Sequence, residues 1–114
     1  YINAHGTSTV LNDKLETLGI KKALGQAAYD VNISSTKSMT GHALGAAGAI
    51  ETIAVIKALQ TSVIPPTIHL DQPDPECDLN YTPHQSVHRD MMYAMNVNIG
   101  FGGQNAAINF KKVI

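Results

Sequence analysis

Three places in this sequence set a reactive side chain among residues that could give it work. His5 follows the short apolar run Tyr1-Ile2-Asn3-Ala4 and opens a loop of small polar residues, Gly6-Thr7-Ser8-Thr9. In α/β proteins, ligands gather beyond the carboxyl ends of strands, so a histidine there is placed to donate a hydrogen bond or move a proton. Gly6 would let the backbone come close to a ligand, and Thr7 and Thr9 offer hydroxyls. The plainer reading, a histidine bonded within its own turn, stands beside this one. The second place is Ser34-Ser35-Thr36-Lys37-Ser38-Met39-Thr40-Gly41-His42, which leaves another strand candidate and runs into an apolar helix. At a helix N-terminus the positive dipole end disfavours an imidazolium. A neutral His42 there could donate to a developing oxyanion. Alternatively, His42 only caps the helix and Lys37 is solvated. The third place is Glu51, an acid inside the most apolar stretch. Acids are almost never fully buried unless paired. Lys37 is a candidate partner by position, against the alternative that Glu51 points outward at an edge.

Other reactive types are less well placed. His84 and His88 are four apart, as on a zinc-binding helix face, but lack a nearby third ligand; a surface loop suits them better and no metal site is expected. Asp71, Asp74, Glu76 and Asp78 lack calcium-loop spacing and its central glycine. Cys77, the one cysteine, lies among acids that raise a thiol pKa, so it is a poor nucleophile. Asp13 and Glu16 read as charges in the first turn of a helix. Gly100-Phe101-Gly102-Gly103 reads as a tight bend or as a hinge bearing a movable ring.

The elements that must position these residues follow from patterning. Tyr1 to Ala4 ends a buried strand. Asn12 or Asp13 can cap a helix whose apolar face is Leu15, Leu18, Ile20 and Leu24, and Gly25 ends it. Val31 to Ser34 is a short strand, and Ser35 to Gly41 a polar loop. His42 to Gln60 reads as one long helix, apolar nearly all round and so expected inside a protein. Gly41, Gly45 and Gly48 leave it a flat stripe. Val63 to Thr67 is extended because each proline restricts the residue before it. Asp71 to Asp78 is an acidic, proline-containing loop. Tyr93 to Ile99 and Ala106 to Phe110 are strands around the glycine-rich run. The order predicts an α/β fold with helices on a mixed sheet.

Composition narrows the function classes. The 114 residues suit one domain, or part of one, spanning 1–114. A net charge of −1 gives no field to draw nucleic acid or an anionic membrane. The longest apolar stretch, Ala43 to Ala58, carries Glu51 and Lys57 and is too short to span a bilayer. A single cysteine fits a reducing compartment. The start at Tyr1, without Met, suggests a piece of a longer chain.

With these residues set out, the chain resembles the β-ketoacyl synthases. Asn3-Ala4-His5-Gly6-Thr7-Ser8-Thr9 is similar to their Asn-Ala-His-Gly-Thr-x-Thr motif. Ser35 to His42, followed by Gly45-Ala46-Ala47-Gly48, resembles their lysine-containing motif, and Gly100-Phe101-Gly102-Gly103-Gln104-Asn105 their C-terminal Gly-Phe-Gly-Gly-x-Asn loop. Asp74-Pro75-Glu76-Cys77-Asp78-Leu79 resembles the type II bacterial and organellar enzymes. The resemblance implies a thiolase-like fold of two similar α/β halves in five layers, with this chain most of the second half, usually in a homodimer. It implies decarboxylative Claisen condensation of malonyl-acyl carrier protein with an acyl group held on a cysteine. His5, His42 and Lys37 would be catalytic. Thr7 and Thr9 would hold the phosphopantetheine arm, and Phe101 would gate the acyl pocket, with Gly100 and Gly102 as hinges. Glu51 and Asn3 would support the site, near a possible structural monovalent cation, with no other cofactor. The partners implied are an acyl carrier protein and the enzyme's N-terminal half, in a bacterial cytoplasm or an organellar stroma or matrix.

The chain departs from the pattern at Val10, where Pro is usual, at Ile99, where Phe is usual, and at Asn96-Val97-Asn98, where Ser-Asn-Ser is common. The family's nucleophilic cysteine lies in the first half, and nothing here matches it. Other readings are a non-catalytic partner that shapes a pocket, as chain-length factors do, a polyketide ketosynthase fragment, a coenzyme A-dependent thiolase relative, and a small binding module.

Overall fold

The computed structural model describes residues 1–113. Its strands and helices follow in the order β1 (Ile2–Asn3), α1 (Val10–Leu24), β2 (Ile33–Ser34), α2 (Lys37–Thr40), α3 (Ala47–Thr61), β3 (Val63–Ile64), β4 (Val87–His88), β5 (Tyr93–Ile99) and β6 (Asn105–Lys111). One sheet has the order β2-β1-β5-β6, with β1 parallel to both β2 and β5 and with β5–β6 an antiparallel hairpin. A separate antiparallel pair joins β3 and β4. The mixed α/β sheet expected from patterning is therefore present.

Strand alternation divides the main sheet into two unlike faces. Ile2, Ala4 and Ile33 pack with Ile20 of α1, Ala28 and Leu79, and Met95 and Val97 of β5 join them. The opposite face meets α3, where Val55 and Leu59 pack with Ala94, Tyr1, Met91 and Phe110. That second face is unusually polar: Asn3, Ser34 and Asn96 lie buried on it. Helix, sheet and helix thus form three layers, with the site at the carboxyl ends of β1 and β2.

Several local expectations are corrected. Thr9, rather than Asn12 or Asp13, caps α1, its side chain accepting the Asn12 backbone N–H at 3.2 Å. The face α1 turns to the sheet is Glu16, Thr17 and Ile20; Leu15, Leu18 and Leu24 are exposed. Gly25 ends α1 with a positive φ, as its type suggests. The residues from 35 to 41 are more than a loop, because Lys37–Thr40 makes one helical turn and Lys37 is buried. The long helix begins at Ala47, after a 3-10 turn at Leu44–Ala46, so His42 stands ahead of it and not at its N-terminus. Within this chain α3 is only half covered, and Ile50, Ile53 and Ile56 face outward. His88 belongs to β4 rather than to a loop, although it is exposed.

The acidic loop has a structural use. Lys14 reaches Glu76 at 2.6 Å, and Lys21 pairs with Asp78, so the loop is strapped along α1. These are exposed pairs, worth little individually.

Candidate active site at the ends of two neighbouring strands

Because β1 and β2 run parallel with Asn3 opposite Ser34, the loops leaving their carboxyl ends start side by side. One carries His5 and the other carries Lys37 and His42. Cross-links hold them together. Asn3, fully buried, donates from Nδ2 to Thr36 Oγ1 at 3.1 Å. The Ser35 hydroxyl donates to the Gly6 carbonyl at 2.7 Å. Gly6 has φ +45°, and a Cβ placed there would fall 2.4 Å from Ser35 Cβ. Only glycine allows this approach.

The loops bring the two histidine rings together edge to face, with centroids 5.6 Å apart and planes at 87°. His5 is buried and His42 exposed. The Leu44 backbone N–H donates to His42 Nδ1 at 3.0 Å, which leaves the proton of a neutral ring on Nε2. Burial holds the His5 pKa below its ordinary value of 6.5, and the nearby Lys37 ammonium adds to the effect; Glu16 and Glu51 oppose it and His42 adds a smaller lowering. His5 is thereby kept as a neutral ring.

Lys37 and Glu51 form a buried ion pair, Nζ to Oε1 at 2.5 Å, with side chains 5% and 2% exposed. This decides between the two readings of each residue: Lys37 is not solvated and Glu51 does not point outward. Both oxygens of Glu51 are used, since Asn98 Nδ2 donates to Oε2 at 3.1 Å.

Glu16 is the residue that sequence reasoning misplaced. It is not a first-turn surface charge but a buried carboxylate. Oε1 accepts the His5 backbone N–H at 2.7 Å and Oε2 accepts that of Gly6 at 2.9 Å. The Asn12 side chain also donates to Oε2 at 3.1 Å. The signal was present, because Glu16 stands four before Ile20, which places both on one helix face. Leucines elsewhere on the helix hid it.

The remaining candidates stand further out. The Thr7 and Thr9 hydroxyls are 3.2 Å apart and exposed, and Thr9 also caps α1. Phe101 tips the β5–β6 hairpin, 94% exposed, so its ring packs on little within this chain. The hairpin closes through Gly100 N–H to Gln104 O at 2.6 Å. Its left-handed positions are Gly102 and Gly103, with φ +82° and +83°; Gly100 has no such conformation. Cys77 is a free thiol in the acidic loop.

Comparison with known proteins follows this geometry. Residues 1–71 match the model for the β-ketoacyl synthase C-terminal domain. Over 112 residues the chain is 54% identical to the 3-oxoacyl-[acyl-carrier-protein] synthase 2 of Synechocystis and 51% identical to that of Staphylococcus aureus; each match covers 98% of this chain and 27% of the relative. The chain thus spans about a quarter of those proteins. Among solved structures, a type II polyketide synthase (PKS) acyl-carrier protein in complex with its ketosynthase bound to the hexaketide matches at TM-score 0.97 and 43% identity, over all of this chain and 28% of the other.

Proposed function

The chain belongs to the β-ketoacyl synthase family as its C-terminal domain, with the α/β half-fold of thiolase-like enzymes, and we propose that it provides the decarboxylation site of a 3-oxoacyl-[acyl-carrier-protein] synthase. The observation that carries this reading is the meeting of the His5 and His42 rings beside the buried Lys37–Glu51 pair.

The substrate would be a malonyl thioester on an acyl carrier protein, the arm lying along Thr7 and Thr9. Breaking the bond between the malonyl carboxylate and the α-carbon releases carbon dioxide. The bonding pair moves through the α-carbon toward the carbonyl, and charge gathers on the thioester oxygen. Two ring N–H groups fixed beforehand stabilise that oxygen without reorganising, and one such donor is typically worth about 3–4 kcal/mol of barrier. His42 suits this role because Leu44 holds its proton on Nε2. His5 suits it because burial and Lys37 keep it neutral. The enolate carbon then attacks the acyl thioester on a cysteine, which leaves as thiolate. That cysteine belongs to a preceding half in this proposal, and Phe101 gates the acyl pocket. The parent enzyme works as a homodimer, without nucleic acid or membrane, in the cytoplasm or an organelle. Among the described residues no helix is long and apolar enough to cross a membrane.

The side-chain oxygens of Asn3 and Glu51 already have donors in Thr36, Lys37 and Asn98. They fit a monovalent cation poorly. The 54% identity to a 3-oxoacyl synthase, against 43% to the polyketide ketosynthase, favours fatty acyl elongation.

The test uses the full-length protein carrying this segment. Labelled carbon dioxide release from malonyl-acyl carrier protein is expected from the wild type and is expected to vanish in His5→Ala. Wild-type release from His5→Ala would overturn the assignment.

A further inference from the structure

We infer that Asn98 is a positioning residue for this site, orienting the Glu51 carboxylate and, through it, the Lys37 ammonium. The inference rests on the decarboxylation reading above. A carboxylate with 2% side-chain exposure must find partners for both oxygens within the protein. Lys37 takes Oε1, and Asn98 Nδ2 takes Oε2 at 3.1 Å; among the described residues these are the hydrogen-bonding partners of Glu51. Without the amide, the carboxylate would be held at one end only and could swing about the Lys37 contact.

The surroundings fix that amide. Asn98 lies opposite Ala106 in the β5–β6 ladder, so the hairpin sets its backbone. It shares a strand face with Asn96, whose Nδ2 donates to Gly48 O at 3.1 Å and to Thr52 Oγ1 at 3.2 Å on α3. A Cβ at Gly48 would stand 3.8 Å from Asn98 Nδ2, so the amide rests on a bare stretch of helix backbone. Serine, common at this position in the family, offers a short rotating hydroxyl; the planar amide of Asn98 offers a donor in one fixed direction.

The experiment compares Asn98→Ala and Asn98→Asp with wild type in the full-length protein, measuring malonyl decarboxylation, KM and thermal midpoint. Losing a hydrogen bond to a charged group predicts about a tenfold fall in kcat, with KM within about twofold because no substrate contact is touched. Asn98→Asp carries a pH signature. The new carboxyl would face Glu51 on α3, whose own charged and titratable neighbours are Lys37 on α2 and, just before and after β1 in the chain, the Tyr1 phenol and His5. Two carboxyls at that distance share a proton more readily as pH falls. The rate of Asn98→Asp relative to wild type should therefore recover as pH falls, while the Asn98→Ala ratio stays flat. Wild-type kcat in Asn98→Ala, with an unchanged melt, would overturn the inference; so would a flat ratio for a folded Asn98→Asp. No decarboxylation from wild type itself would instead sink the reading on which the inference rests.

Discussion

Glu16 holds His5 by its backbone: the carboxylate on α1 takes the His5 N–H at 2.7 Å and the neighbouring Gly6 N–H at 2.9 Å. Helix and loop are therefore one unit, and His5 is placed by a residue eleven positions later in the chain. Glu16→Ala would leave two N–H groups without their acceptor. Hydrogen bonds to charged groups are worth about 1.5–3 kcal/mol, so the expected loss is at least about 2 kcal/mol. Glu16→Gln keeps one acceptor and should lose less. Denaturant midpoints on the full-length protein check the order, and decarboxylation should fall with them.

The Lys37–Glu51 pair should show strong asymmetry between single and double changes. Lys37→Met strands a buried carboxylate, which typically costs about 3–5 kcal/mol. Adding Glu51→Leu removes the stranded charge, so the double variant should be more stable than Lys37→Met alone. Equal midpoints for the two variants would show that the pair is not buried as described.

His5 makes a prediction in pH. Its folded pKa lies below 6.5, with burial and then Lys37 as the leading causes. Below about pH 6.5 the unfolded chain therefore binds a proton here that the folded chain refuses. Stability from this residue is complete above that value and is lost as pH falls toward the lowered pKa. Ring chemical shifts of His5, followed by NMR, should titrate below 6.5. Lys37→Met removes a like charge and should move that titration upward.

Gly6 tests the join between the two loops. Gly6→Ala forces a methyl into Ser35 and a side chain into a positive φ, for an expected loss of about 2 kcal/mol or more. Adding Ser35→Gly removes the obstructing Cβ and should restore part of it, leaving the backbone strain. Calorimetry on both variants separates the two causes.

Much of this was legible from residue types. Strands β5 and β6 and the end of α1 at Gly25 follow from periodicity and glycine placement, whereas the cost of a buried acid left the pairing of Lys37 with Glu51 as one of two readings, which the structure decides. The convergence of His5, Lys37 and His42 was legible only through motif resemblance, because parallel adjacency of two short strands leaves no local trace. What misled was burial. The leucines of α1 suggested an inward face, yet the inward face is Glu16, Thr17 and Ile20. Leucine periodicity reports that some surface is covered, not which neighbour covers it. Likewise His42 was expected on a helix because the apolar run begins beside it, but a 3-10 turn intervenes.

The leucines of α1 and the isoleucines of α3 leave apolar surface bare on both outer faces of the three-layer stack. Sticky surface on opposite sides lets one molecule bridge two others, which is the geometry of chain growth rather than of a closed pair. Left bare, these two faces should make the segment associate into open-ended assemblies rather than closed pairs.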